Sequence, residues 1–223
     1  TAIVQPCARL MPPAGSEGEF TRDHGVELLR RIEWCARISH RSEDAMTETS
    51  YDRFLRSVVL QHGDWSVTEH VAVSVDFLVD RGITHELVRH RMFSFTQEST
   101  RFVNYDKKIP ARFVYPDEGF EHHPAWVRAI KQAEASYKEL LAGGWSPQLA
   151  RSVLPNALAS RIIMTGNLRA WRHFLLMRTT KETHPQMRQV TIPLLDEFKT
   201  RIPILFEDIE PAERQADNLK KAS

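Results

Sequence analysis

A regular alternation of apolar and polar side chains between residues 71 and 79 is the strongest pattern in the chain. The apolar positions are Val71, Val73, Val75, Phe77 and Val79. A period of two is typical of a β-strand with one buried face, because successive side chains of a strand point to opposite faces. A weaker alternation over residues 156–165 predicts a second core strand, and short apolar runs predict an edge strand at residues 2–4 and a strand at 112–115.

Apolar residues spaced three and four positions apart predict the remaining elements as helices. Pro193 lies inside the last of them and should kink it, because proline lacks the backbone N–H of a helical hydrogen bond. Residues 89–101 are predicted to be a loop, and so are residues 103–123 apart from the strand at 112–115. The predicted helices cover residues 23–39, 49–61, 83–89 and 124–141, a short turn after Ser146-Pro147, a segment from its cap Asn167 to about Arg178, and residues 184–203.

This order of elements predicts an α+β fold. No repeat or linker interrupts the pattern, so we expect a single domain over residues 1–209 with a central, mostly antiparallel sheet flanked by helices. Residues 210–223 are polar and are expected to form a frayed C-terminal tail.

Composition narrows the class of protein. Hydrophobic residues make up 42% and charged residues 26% of the 223, as in globular proteins that fold in water. The formal charge of +1 gives no indication of nucleic-acid or membrane binding. Two cysteines, Cys7 and Cys35, make neither a disulfide framework nor a metal site. With no apolar run of about 20 residues and no signal pattern, we expect a cytoplasmic protein.

The densest group of ligand-binding side chains lies in residues 89–101, called the signature segment below. Arginine offers a planar fork of donors that suits phosphate and carboxylate oxygens, while hydroxyls and amides can read a sugar or a base edge. If the three arginines are considered without the other residues, a basic loop exposed to solvent is as good an interpretation as a binding site. The candidate ligand-binding members are Arg89, His90, Arg91, Ser94, Thr96, Gln97, Glu98, Ser99 and Arg101.

The order Arg89-His90-Arg91, seven residues, then Ser99 resembles the signature of the flavin-dependent thymidylate synthases (the ThyX family). Four further segments resemble the family in the same order along the chain: 62–70 (HGDWSVTEH), 149–155 (LARSVLP), 167–169 (NLR) and 176–178 (LMR). The resemblance implies a homotetramer with active sites shared between subunits. It also implies reductive methylation of dUMP to dTMP, with 5,10-methylenetetrahydrofolate and NADPH as co-substrates and FAD as cofactor.

The resemblance also implies roles for individual residues. Arg178 is the expected catalytic residue, because a fixed cation would stabilise negative charge developing on the pyrimidine. No metal is expected. The implied dUMP-binding residues are Glu86, Arg89, Gln97, Glu98, Ser99, Arg101, Arg151 and Arg178. The implied FAD-binding residues are Ser66, Arg89, His90, Arg91, Gln97, Asn167, Arg169 and His173.

Three positions depart from the family pattern. Asp64 stands where many members have a second histidine, and Glu86 stands where some members have glutamine beside the nucleotide. Phe102 follows Arg101 where tyrosine is frequent, so one hydroxyl is lost. Other chemistries fit less well. His85 and His90 are five apart, whereas zinc-binding helices use a spacing of four, and no glycine-rich dinucleotide motif is present.

Two alternative functions remain at this point. A related flavin- and folate-dependent enzyme could modify a different pyrimidine nucleotide or add a hydroxymethyl group. A non-catalytic nucleotide-binding homologue could keep the arginines without the redox chemistry.

Overall fold

The computed structural model describes residues 1–116 and 123–211, which form two compact units. The first unit contains residues 1–7, 77–90 and 95–163, and the second contains residues 8–76, 91–94 and those from 164 onward. The chain therefore passes from one unit to the other after Cys7, inside two long strands, and at both ends of a short segment, residues 91–94.

Strands form one four-stranded sheet and one parallel pair. The order in the larger sheet is β2-β3-β6-β4, and β1 pairs with β5 in parallel, with Ala2 opposite Arg112. The predicted α+β class with an antiparallel sheet is confirmed. The strands in the described residues are β1 (Ala2–Val4), β2 (Cys7–Leu10), β3 (Ala72–Asp80), β4 (Ser94–Gln97), β5 (Arg112–Val114) and β6 (Ala159–Asn167).

Two of these strands, β2 and β4, are absent from the sequence prediction. Each has only four residues, too few to show a period of two, and β4 lies within the signature segment that we expected to be a loop. In the second unit, the main chain beside β2 is tied to β3, since Met11 N donates to Ser74 O. In the first unit, Glu98 N at the end of β4 donates to Arg161 O of β6.

The predicted helices are present, with ends shifted by a few residues. The second predicted helix is α-helical only in its first half, and Arg56–Gln61 continues it as a π-helical turn. Pro193 lies inside the last helix, where a kink remains a prediction. The helices are α1 (Arg22–Arg37), α2 (Ser50–Leu55), α3 (Arg81–Leu87), α4 (Pro124–Ala142), α5 (Pro147–Ala150), α6 (Leu168–Arg178) and α7 (Pro185–Arg201).

Each unit has its own core of buried side chains. In the first unit, Tyr105, Phe113, Tyr137 and Leu158 form a hydrophobic cluster. In the second, the ring of Trp171 lies 5.4 Å from that of Phe198, and its indole N–H donates to Val73 O over 3.0 Å. A buried Trp N–H usually has such a partner, because a buried donor without one costs free energy.

Short polar caps start the two helices that carry predicted site residues. The Asp80 carboxylate accepts a 2.7 Å hydrogen bond from Ile83 N at the start of α3. The Asn167 side chain accepts one of 2.8 Å from Ala170 N at the start of α6, which confirms the cap predicted there. Among the described residues no helix combines the length and the apolar character that crossing a bilayer requires. Of the predicted tail, residues 212–223 lie outside the described residues.

We expect Gly25→Ala to destabilise the second unit strongly. An added Cβ would lie 1.7 Å from the carbonyl oxygen of Arg201 in α7, so α1 and α7 would have to separate. The expected loss in free energy of unfolding is about 3 kcal/mol, the upper end for an overpacked core. Urea denaturation measures it. The control is Gly143→Ala, where the nearest atom lies 3.4 Å from the added Cβ and little change is expected.

Candidate functional site

Gln97, at the end of β4, is held in a fixed orientation in the first unit. Its side-chain nitrogen donates to Thr84 Oγ1 over 2.9 Å and to Ser160 Oγ over 3.1 Å. Thr84 Oγ1 donates its own hydrogen to Arg81 O, so towards Gln97 it can only accept. The Gln97 atom bonded to Thr84 must therefore be the amide nitrogen. The carbonyl oxygen of Gln97 remains able to accept a hydrogen bond from a ligand.

Glu98 is tied to the body of the first unit through both carboxylate oxygens. Tyr105, which is almost fully buried, donates its hydroxyl hydrogen to Glu98 Oε1 over 2.8 Å. Arg161 N donates to Glu98 Oε2 over 3.4 Å. Burial, and then the hydrogen bond to Glu98, raises the pKa of Tyr105 well above its ordinary value. Tyr105 therefore remains a neutral donor beside a predicted nucleotide-binding residue.

The end of the signature segment lies beside α5 and the turn that follows it. Arg101 Nε donates to Gln148 Oε1 over 3.1 Å, and its guanidinium lies over the ring of Phe102. Arg151 donates to Thr100 Oγ1 over 3.0 Å. Because both arginines bond to neutral oxygens here, their positive charges are available to an anion. The sequence pattern contained no sign of the supporting roles of Gln148 and Thr100.

Glu86 and Arg89 stand at the end of α3, also in the first unit. Glu86 is half-buried and Arg89 is exposed, and Arg89 N donates to Glu86 O over 3.2 Å. His90 follows, and His90 N donates to Leu87 O. The backbone thus turns tightly before the chain enters the second unit at Arg91.

The second unit contains a cavity of about 390 Å³ at the start of α6. This volume lies within the range of small-molecule sites. Arg169 in its wall pairs with Glu69 over 2.6 Å, with both side chains about half exposed. Three predicted flavin residues line the cavity together with three residues that the sequence analysis did not name. The lining residues are Glu69, Met92, Asn167, Arg169, Ala170 and His173.

The turn Trp65–His70 holds one wall of this cavity and also carries Ser66. Its first residue, Trp65, lies under the guanidinium of Arg172, which is 4.3 Å from the ring centre. Arg172 also makes a bidentate pair with Asp208 and thereby lowers the pKa of that carboxyl group. The contact places the turn against α6, with Glu69 and Arg169 facing each other.

Arg178 ends α6 in the second unit and is half-buried. Its backbone carbonyl accepts a 2.7 Å hydrogen bond from Thr191 Oγ1 of α7, which fixes the end of α6. The structure thus groups the predicted residues in two sets. The first unit holds Glu86, Arg89, His90, Gln97, Glu98, Ser99, Arg101 and Arg151, and the second holds Ser66, Arg91, Asn167, Arg169, His173 and Arg178.

The cavity residues that sequence reasoning missed had partial signals. Met92 lies inside the signature segment, and Glu69 lies three residues after Ser66 in a segment that already resembled the family. An apolar side chain and an acidic one gave no reason to assign either of them to a ligand. Within residues 1–116 and 123–211, no group of three or more His, Cys, Asp or Glu side chains is placed to hold a metal ion.

Comparison with known proteins identifies the family. Residues 24–204 match the model of the family described as thymidylate synthase complementing protein. The chain is 32% identical over 238 residues to the flavin-dependent thymidylate synthase of Corynebacterium efficiens, covering 97% of this chain and 92% of the relative. It is 36% identical over 174 residues to that of Mycobacterium tuberculosis, covering 70% of this chain and 69% of the relative.

The chain therefore belongs to the flavin-dependent thymidylate synthase family, as its signature segment predicted. Solved structures agree on the fold. A UMP/dUMP methylase, PolB from Streptomyces cacaoi, bound with 5-Br dUMP, matches with a TM-score of 0.70 at 23% identity, covering 93% of this chain and 96% of that one. The same protein bound with 5-Br UMP matches with a TM-score of 0.68 at 22% identity, covering 92% and 94%.

We expect Tyr105 to resist ionisation in the folded protein. Its raised pKa means that the folded state holds the proton more tightly than the unfolded state. The free energy of unfolding that this pKa difference contributes is fully present below pH about 10 and is lost as the pH rises further. Tyr105→Phe has no hydroxyl to ionise at this position, so this loss of stability should be absent in the variant. Tyrosinate absorbance of the wild type minus that of the variant measures the ionisation, and a tyrosine titrating at its ordinary pKa would contradict the assignment.

Proposed function

We propose that this protein converts dUMP to dTMP, using FAD, NADPH and 5,10-methylenetetrahydrofolate. The observation that carries the proposal is the family match over residues 24–204, which includes every residue of both sets described above. We further propose that it works in the cytoplasm as a homotetramer whose subunits share active sites. Both points follow from the family resemblance.

In the proposed reaction, the anion-binding residues of the first unit hold the nucleotide. Arg101, Arg151 and Ser99 would bind its phosphate, since two fixed guanidiniums and a hydroxyl match phosphate oxygens. Gln97 would accept a hydrogen bond from the ligand, because its N–H groups already donate to Thr84 and Ser160. The nucleotide would thus be oriented before any bond is formed.

The cavity of the second unit fits part of a flavin cofactor. Arg169 and His173 lie one helical turn apart on α6 and offer nitrogen donors, and Met92 offers an apolar contact. A cavity of 390 Å³ holds one part of FAD, so other residues must bind the remainder. When bound, the flavin supplies the hydride that completes the methyl group.

Arg178 would stabilise the pyrimidine as its C5 becomes nucleophilic. Negative charge then spreads to the carbonyl oxygens and N3 of the base, and a cation in a fixed position lowers the energy of that state. The hydrogen bond from Thr191 to the Arg178 carbonyl holds its backbone in place. This electrostatic role does not require the arginine to transfer a proton.

A second candidate is methylation of UMP in place of dUMP. The specific observation in its favour is the fold match to a UMP/dUMP methylase solved with both 5-Br UMP and 5-Br dUMP. The two nucleotides differ only in the 2′-hydroxyl. Competition between equal concentrations of UMP and dUMP, with products identified by mass spectrometry, separates the two functions and also detects a hydroxymethyl product.

The proposal is tested first by the colour of the purified protein. We expect a yellow protein, or one that becomes yellow with FAD, that NADPH bleaches without oxygen. Addition of dUMP and methylenetetrahydrofolate should then yield dTMP. A protein that cannot be loaded with FAD would instead be a nucleotide-binding homologue without redox activity.

We expect Arg178→Ala to lower kcat for dTMP formation by about 10²–10³, the usual cost of removing one stabilising donor from a transition state. Flavin affinity should change much less. Arg178→Lys keeps the charge and should recover part of the rate. The matched control is Arg128→Ala, which removes an exposed arginine from α4, outside both sets of site residues. Equal kcat in wild type and Arg178→Ala would remove this residue from the catalytic role.

A further inference from the structure

Gly166 is a glycine whose backbone conformation does not require one. It lies inside β6, and its φ is outside the left-handed region. Glycine within a strand lowers stability, because it has more conformational freedom to lose and no side chain to pack. A close approach by another group is then the physical reason for glycine at this position.

The group that approaches is the ring of Phe93. A Cβ added at Gly166 would lie 2.4 Å from Phe93 Cδ1 and 2.5 Å from Cε1, far inside van der Waals contact. Both residues belong to the second unit. The aromatic ring of Phe93 thus occupies the space that a side chain at residue 166 would need.

The ring of Phe93 is partly exposed, and on its buried side two core rings limit its movement. Its centre lies 4.8 Å from that of Trp171 and 6.1 Å from that of Phe174, edge to face in both cases. Trp171 and Phe174 are fully buried in the core of the second unit. Phe93 is therefore confined by β6 and by two core rings of α6.

Each partner in this contact is next to a residue that lines the cavity. Phe93 follows Met92, and Gly166 precedes Asn167, the cap of α6. Because a single peptide bond joins each partner to its cavity-lining neighbour, a displacement of either partner would also move a wall of the cavity. The contact thus determines the distance between the signature segment and the start of α6.

We propose that Phe93, packed into the space at Gly166, is a positioning residue that sets the width of the flavin cavity. The inference rests on the proposed function, since it concerns the cavity assigned to FAD. Phe93 itself would not have to touch the cofactor. Its effect passes through Met92 on one side and Asn167 on the other.

The test is a double-mutant cycle on FAD affinity. Gly166→Ala should weaken FAD binding about tenfold or more, because a shift of about 1 Å in a positioned group has large effects. Titration of the apoprotein with FAD, followed by flavin fluorescence, measures Kd. In the Phe93→Ala background the same change should cost much less, because alanine has none of the three atoms (Cγ, Cδ1 and Cε1) that the new Cβ would meet.

Two controls separate positioning from simple loss of stability. Ile130→Ala removes a buried side chain from α4 in the first unit and should lower the melting temperature without changing Kd for FAD. Gly143→Ala adds a Cβ at a position with room for it and should change neither. If Gly166→Ala fails to fold, Phe93→Ala provides the second test, with weaker FAD binding expected because Met92 loses its anchor.

The outcomes are distinct. If the wild type binds FAD and Gly166→Ala binds it equally well, the inference is wrong and the proposed function is unaffected. Equal weakening in the Phe93 and Phe93→Ala backgrounds would also overturn it, because Gly166 would then act without Phe93. If the wild type itself does not bind FAD, the proposed function fails first, and the inference about its cavity fails with it.

Discussion

The junction between β6 and α6 is the feature on which the second unit depends most. Within five residues the chain ends β6 at Asn167, caps α6 with the same residue and buries Trp171 with its N–H bonded to Val73 O. The cap holds the first turn of α6 in place, and the Trp anchors that turn to β3. Because Arg169 lies between cap and anchor, its backbone position follows from those two contacts.

Arg151 and Arg101, which are predicted to bind the phosphate in the first unit, are held in a different way. Their guanidinium groups donate to neutral oxygens of Thr100 and Gln148, not to carboxylates. An arginine held this way keeps its charge for a ligand. Arg169 in the second unit differs, because Glu69 offsets part of its charge. We expect the ligand part near Arg169 to be less strongly anionic than a free phosphate.

How well sequence patterns predicted each element depended on whether its apolar residues formed a visible run or alternation, and even the three-residue strands β1 and β5 were predicted from apolar runs. The nine-residue strand β3 shows a full alternation and was predicted within one residue at each end. β4 has four residues within a segment dominated by polar groups, so no period was visible. The π-helical turn at Arg56–Gln61 was also missed, because apolar spacing over six residues cannot separate it from an α-helix. Asn167 was predictable as a cap because capping depends on local geometry alone.

The sequence by itself determined the family, the α+β class and the residues able to carry the chemistry, because motif order and side-chain type are properties of the chain. The tertiary structure decided the orientation of the Gln97 amide, which depends on Thr84 and Ser160, residues 13 and 63 positions away. It also revealed the contact between Phe93 and Gly166. These contacts join residues that are far apart in the chain, and only the three-dimensional packing of the chain brings them close enough to touch.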